Sequence, residues 1–349
     1  MAEEKAVGNR KNLSDMTLEE MRVWFLSLGE KRFRADQVYR WIYQGAGSFD
    51  EMKNLPVNLR KKLAVTARLA VPHIVQVQRA ADGTRKYLFR LEDDNCIESV
   101  FMKYHYGNAI CVSSQAGCRM GCAFCASTRE GLARNLSAGE MAGQVLAAQR
   151  ETGERIGHIV VMGSGEPFEN YDALARFLRL LHAKDALGIS MRHITVSTCG
   201  LVPGIHRFVR DFPQVNLAIS LHAPTDALRS RLMPVNRKYP LTELMAACED
   251  YMAQTGRRIT FEYALMKGIN DRDEDIARLL ALLAGKRAHV NLIPLNAVRE
   301  SAFSGSSRTR AREICQILED HGIPATVRRR LGSEIDAACG QLRLSRKRS

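Results

Sequence analysis

Nowhere among the 349 residues is there a run of about 18 apolar residues, so no membrane-spanning helix is expected. An apolar targeting stretch is missing too, since Met1 to Ser14 is polar and charged, and the chain reads as cytoplasmic. In that compartment its nine cysteines are expected to be reduced thiols, not a disulfide framework. The glycines supply no dinucleotide fingerprint, because Gly163-Ser-Gly165 lacks a third glycine at the required spacing. Acidic residues are in deficit, 38 Asp and Glu against 51 Lys and Arg, and the net charge of +13 favours a polyanionic partner such as nucleic acid. With 46% hydrophobic residues the chain can bury a full core, and its length allows one large domain and an accessory piece. Nothing in it calls for an obligate partner chain, and a monomer is expected.

What is present is most distinctive at Gly117-Cys-Arg-Met-Gly-Cys-Ala-Phe-Cys125. Cys118, Cys122 and Cys125 place three soft thiolates close together, which selects an iron–sulfur cluster, zinc or copper(I). The Cys-x3-Cys-x2-Cys spacing, with Phe124 before the last cysteine, favours a cubane cluster whose fourth iron has no protein ligand. That vacant iron is what S-adenosylmethionine (SAM) chelates in radical SAM enzymes. The alternative is a zinc site completed by a distant fourth ligand.

The first seventy or so residues read as helical. Thr17 caps a helix to Leu28, a second runs Ala35 to Tyr43, and a third runs Val57 to Leu69 behind Pro56. Lys31, Arg32, Arg34, Arg40, Lys53, Arg60, Lys61 and Lys62 crowd this segment, which by itself reads as a solvated helix face. From Ile74 to Val112 the pattern turns to antiparallel strands, with turns at Asp82-Gly83 and Glu92–Asn95. Strands then alternate with helices. The strands are expected at 158–162, 193–197, 216–221, 260–265, 289–295 and 325–329, and the helices at 138–150, 171–182, 241–254, 276–284 and 309–321. Such alternation indicates an α/β fold with a parallel sheet, either an open doubly wound sheet or a (β/α) barrel.

In either architecture chemistry belongs at the C-terminal ends of the strands. Gly165-Glu166, Ser197, Ser220, His222 and Asn296 are expected there. Singly, each has an ordinary structural explanation. Two further cysteines stand apart. Cys111 precedes the cluster loop, and Cys339 sits in the small-residue context Ala337-Ala-Cys-Gly340, where an activated thiolate would be a nucleophile. Cys96, Cys199, Cys248 and Cys315 read as small buried hydrophobes.

Together these residues resemble the RlmN-type radical SAM methyltransferases, which methylate C2 of an adenine in RNA, with the C8-methylating Cfr enzymes as near relatives. The carriers are Cys111 to Cys125, Gly165-Glu-Pro167, Ser197-Thr-Cys-Gly200, Ser220-Leu-His-Ala223, Asn291 to Asn296 and Ala337 to Leu342. The resemblance covers nearly the whole chain. It implies a partial (β/α)6 TIM-like radical SAM barrel over 109–342 and a small helical RNA-binding domain over 1–72, joined by the β extension over 73–108; the basic tail over 343–349 has no counterpart role in the family. It also implies that Cys118, Cys122 and Cys125 hold a [4Fe-4S] cluster, and that Gly165, Glu166, Ser197, Ser220, Leu221, His222 and Asn296 line the SAM site.

The family's chemistry follows from the target. Adenine C2 is electron-poor and has no lone pair to attack a sulfonium methyl, whereas a carbon radical can add to it. The resemblance implies that Cys339 takes a methyl group from one SAM, that a radical made from a second SAM activates this methyl, and that the methylene adds to C2. After loss of an electron and the C2 proton, Cys111 would attack the Cys339 sulfur, releasing methylated RNA and leaving a disulfide. Cys111 or Glu98 would accept the C2 proton. Expected substrates are 23S rRNA, at adenine 2503, and tRNA, at adenine 37. A flavodoxin- or ferredoxin-like electron donor is expected by analogy. Gly-Glu-Pro at 165–167 leans toward C2, since the C8 enzymes carry alanine after that glutamate. A non-enzymatic RNA-binding zinc protein is the distant alternative.

Overall fold

Helix caps and a buried apolar stripe organise the N-terminal region in a computed structural model that describes residues 10–295 and 303–328. Asn296, Cys339 and the tail 343–349 lie outside the described residues. A two-residue strand β1 (Lys11–Asn12) precedes helix α1 (Leu18–Ser27), whose Thr17 and Glu20 close a reciprocal capping box. Helix α2 (Arg32–Tyr43) starts three residues earlier than its periodicity predicts. Helix α3 (Val57–Thr66) ends short of Leu69, because Ala67–Arg68 forms β2 and pairs in parallel with β1. Inter-strand hydrogen bonds there replace the last helical turn.

The antiparallel unit consists of β3 (His73–Arg79), β4 (Arg85–Arg90), β5 (Cys96–Tyr104) and β6 (Gly107–Cys111). A hairpin of β7 (Gln115–Gly117) and β8 (Leu132–Asn135) follows, bracketing the cysteine loop. The strand–helix alternation then runs α4 (Ala138–Thr152), β9 (His158–Val161), α5 (Tyr171–His182), β10 (Ile194–Thr198), α6 (Val202–Asp211), β11 (Asn216–Ser220), α7 (Asp226–Leu232), α8 (Leu241–Thr255), β12 (Ile259–Leu265), α9 (Asp273–Leu283), β13 (Ala288–Pro294), α10 (Arg308–Asp320) and β14 (Ala325–Val327).

All but the two short pairs join one ten-stranded sheet in chain order, from β3 at one edge to β14 at the other. The antiparallel strands therefore continue the parallel sheet, because β6 pairs antiparallel with β5 and parallel with β9. No reversal of strand order occurs, so the sheet is singly wound, and a doubly wound sheet is excluded. Edges β3 and β14 are not paired with each other, which leaves an open, partial barrel.

Alternation along the strands separates two faces. Ile110, Ile159, Val196, Ile219, Phe261 and Leu292 point to the helix-covered side and belong to one apolar core that also takes in Met21, Phe25 and Val38 of the N-terminal helices. The opposite, concave face carries polar and titratable residues, and it holds the site.

Candidate active site

The cysteine loop is closed by a backbone contact that admits no side chain. Gly117 has φ +86°, and a Cβ there would lie 2.0 Å from the carbonyl oxygen of Gly131. That same oxygen accepts from the Cys118 N–H at 2.9 Å. Within the loop, the Cys125 N–H donates to the Cys122 carbonyl at 3.0 Å, and the Thr128 hydroxyl donates to the Cys125 carbonyl at 3.0 Å. The Ala123 N–H reaches the Leu232 carbonyl at 2.9 Å, fixing the loop over the end of α7.

Cys118, Cys122 and Cys125 line one cavity of about 200 Å³ at the C-terminal ends of β9 to β12. Its opposite wall includes Gly165, Glu166, Ser197, Ser220 and His222, so residues far apart in sequence meet where the strand alternation placed them. Asn296, in the stretch after β13, is outside the described residues.

Two properties of the loop bear on whether it fits a cluster. Burial pushes the Cys118 thiol up to about 12 and raises that of Cys122, with neighbouring thiol charge adding to both. Thiolates here need a compensating cation, which iron supplies. Ser127, just past the last cysteine, buries a hydroxyl that has no hydrogen-bond partner among the described residues, and it too lines the cavity. Three soft donors and a buried hydroxyl lacking an acceptor fit a cluster of irons and sulfides.

Glu166 is buried, with its Oε1 accepting from the Phe168 N–H at 3.0 Å and its Oε2 from the Cys199 N–H at 2.7 Å. Burial raises its pKa, and these two N–H groups oppose the rise. Gly165, at φ +109°, abuts Gln115, whose side chain a Cβ would meet at 2.6 Å. The Gln115 amide oxygen receives the Glu166 N–H at 2.8 Å. The Ser197 and Ser220 hydroxyls face one another at 3.5 Å.

His222 occupies left-handed backbone at φ +55°. Its Nδ1 accepts the Ala264 N–H at 2.9 Å, which fixes the neutral tautomer with the proton on Nε2. The ring meets Phe124 edge to face at 4.8 Å, joining the strand end to the cysteine loop. Burial, and then the charge of Arg229, lowers its pKa to about 3. Leu221 is fully buried and offers backbone rather than side chain to this wall, its N–H donating to the Glu262 carbonyl at 3.0 Å.

Cys111 and Glu98 lie on the same concave face, toward the antiparallel strands and outside the cavity lining. Cys111 pairs across from Val100, and Glu98 is two residues along the same strand. Both are buried. Glu98 meets the ammonium of Lys86 at 2.8 Å, so it is no surface carboxylate. Cys111 sits in an apolar patch with Val100, Met102, Val160 and Met162.

Three site residues escaped the sequence reading. Arg229, wholly buried, donates to the carbonyls of Cys199 at 2.7 Å, Ser220 at 3.1 Å and Leu221 at 3.2 Å, and to Asn236 Oδ1 at 2.9 Å. It staples the ends of β10 and β11 from beneath. Its signal was an arginine three residues before Leu232 on the buried side of a short helix. Glu262 and Asn291, hydrogen-bonded at 2.8 Å, were legible as inward positions between the outward Phe261, Tyr263, Val290 and Leu292.

Comparison with known proteins fits this arrangement. A family model for the ribosomal RNA large subunit methyltransferase N-terminal domain matches residues 11–69, and one for the radical SAM superfamily matches 112–280. A Pelotomaculum thermopropionicum protein named "Probable dual-specificity RNA methyltransferase RlmN" is 56% identical over 341 residues, 97% of this chain and 92% of that protein. The chain belongs to the RlmN family of radical SAM methyltransferases. A Desulforamulus reducens relative of the same name is 52% identical over 96% of this chain and 97% of its own. The crystal structure of a radical SAM methyltransferase from Sphaerobacter thermophilus superposes with a TM-score of 0.91 at 48% identity, covering 95% of this chain and 98% of that one. These likenesses span both the helical segment and the sheet.

Proposed function

We propose that the protein methylates C2 of adenine in RNA, with 23S rRNA and tRNA as substrates. The observation that carries this reading is the meeting of the Cys118–Cys125 loop with Gly165, Glu166, Ser197, Ser220 and His222 around one cavity, while Cys111 and Glu98 share the adjoining concave face. Cys118, Cys122 and Cys125 would hold a [4Fe-4S] cluster. When bound, that cluster and SAM would supply a carbon radical, which can add to a ring carbon that polar methyl transfer from SAM cannot reach.

The remaining work falls to the chain. Glu166 and the close backbone at Gly165 orient an ammonium and carboxylate at the end of β9. Cys339 acts as the nucleophile that carries the methyl group. After the RNA adduct on Cys339 has lost one electron and the C2 proton, Cys111, held in its apolar patch, attacks the Cys339 sulfur to free the product and form a disulfide. Glu98 accepts the C2 proton, its carboxylate kept in place by Lys86. The helices α1 to α3 grip the RNA backbone, and a flavodoxin- or ferredoxin-like protein delivers electrons. An adenine must leave its stack to reach this cavity, which favours loops as substrates.

Nucleoside analysis of nuclease digests tests the reading in one experiment. Treated RNA should yield 2-methyladenosine; 8-methyladenosine alone would assign the chain to the C8 reaction, and no methylated adenosine would reject both.

A further inference from the structure

Among the described residues, every large apolar side chain left exposed lies between Val23 and Val75 except Tyr106, which is 57% exposed. Tyr106 occupies the tight turn from β5 to β6, where Gly107 takes φ +132°. Other rings hold it in place. The Tyr104 ring lies 4.9 Å away and within 8° of parallel, and the rings of His105 and His158 meet Tyr106 edge to face at 5.1 and 5.2 Å. His158 in turn stacks on His193 at 4.5 Å. The end of β5, the start of β9 and the residue before β10 thus contribute to one continuous aromatic cluster.

This cluster belongs to the concave face. Ile159 and Ile194 point into the helix-covered core, so His158 and His193, one residue before each, point the other way. Tyr104 packs against the patch that holds Val100, Met102 and Cys111. The wall is therefore unbroken from Cys111 to Tyr106. Strand β6, which spans that gap, is five residues long. Its length of about 13 Å equals about four nucleotides at the rise of about 3.4 Å of a stacked strand. A hydrophobic plug would bury its rings, whereas His105, Tyr106 and His193 are all exposed. Rings held rigidly yet left open are what an unpaired base stacks on, since every base offers a π face. Arg155 and Arg192, exposed and close in sequence to the two histidines, supply charge for phosphates, while Glu154 is taken up by Lys103 and Asn108. We propose that Tyr106, backed by Tyr104 and the His158–His193 pair, is a platform on which an unpaired base of the RNA, a few nucleotides from the target adenine, stacks.

This assignment rests on the RNA reading of the active site, and one set of titrations separates the two. Anisotropy of a labelled stem–loop RNA with an unpaired adenine in its loop is measured on wild type, Tyr106→Ala and Tyr106→Phe across a salt series. Tyr106→Ala is expected to weaken binding by about five- to a hundredfold, the loss of one stacked base. Tyr106→Phe keeps the ring and should stay within about twofold of wild type. The salt dependence should be unchanged in both, because no phosphate contact is removed. The same RNA is then made abasic at one loop nucleotide at a time. At one position other than the target adenine, wild type should lose the same factor and Tyr106→Ala little further, because the interaction is already gone. Unchanged melting temperature and iron content report that the variants are folded. If wild type binds the RNA and Tyr106→Ala binds it equally well, the platform is overturned, and the exposed ring is left to a protein partner. It is overturned as well if the losses from Tyr106→Ala and from base removal multiply at every position. Failure of wild type to bind the RNA would overturn the RNA reading itself and this inference with it.

Discussion

His222 shows how one side chain can serve the fold and line the site at once. Its Nδ1 is committed to the Ala264 N–H, so protonating the ring would break that bond inside a buried wall that already holds Arg229. The unfolded imidazole titrates near 6.5, whereas the folded one is held down to about 3. Above pH 6.5 both states are neutral and the residue contributes no pH dependence. As the pH falls below that, the unfolded chain binds a proton that the folded chain refuses, and stability is lost by up to about 1.4 kcal/mol per pH unit. His222→Asn keeps an acceptor in the Nδ1 position and suits left-handed backbone. Urea unfolding between about pH 6 and pH 4 should therefore show wild-type stability falling more steeply than that of the variant, by roughly 1.4 kcal/mol per unit. Parallel slopes would mean that the ring titrates normally. Gly117 gives a second prediction at this scale. Gly117→Ala forces a Cβ onto the Gly131 carbonyl, and it should cost several kcal/mol and abolish iron uptake by the loop, read from visible absorbance after anaerobic reconstitution.

At the scale of elements, the ends of β10 and β11 are held by a cation rather than by strand pairing. Arg229 gives hydrogen bonds to three carbonyls from a fully buried guanidinium. Arg229→Lys retains charge but cannot span those acceptors. It should destabilise the protein by about 3 kcal/mol or more in urea unfolding, since buried carbonyls lose their donors. A loss under about 1 kcal/mol would show that the wall is self-supporting. This element also marks where sequence reading ran out. Helices and strands with clear periodicity were legible, as were the cap at Thr17 and the arrival of Glu166, Ser197, Ser220 and His222 at strand ends. Helix α6 was missed because Pro203 and Gly204 stand in its first turn, and α7 because seven residues hold too few turns to show a period. The antiparallel strands read as a separate unit, since only the three-dimensional pairing of β6 with β9 reveals that they extend the main sheet. Glu98 was ambiguous for a similar reason. Its buried partner Lys86 lies across a strand pair that no local pattern announces.

For the whole molecule, the decisive feature is that the N-terminal helices and the sheet share one apolar core. Lys31, Lys53 and Lys61 stand exposed on the helical side. If that side grips RNA through phosphates, binding must release counterions, and the logarithm of affinity falls linearly with the logarithm of salt concentration. For single-stranded contacts each phosphate contributes about −0.7 to that slope. Replacing all three lysines with glutamine leaves the core untouched, so folding should be unaffected. Anisotropy titrations of a labelled stem–loop RNA across a salt series should then show the slope shallower by about 2, with affinity reduced most at low salt. An unchanged slope would move the RNA contact away from these helices and onto the concave face, and would separate the roles of the two regions that this one core joins.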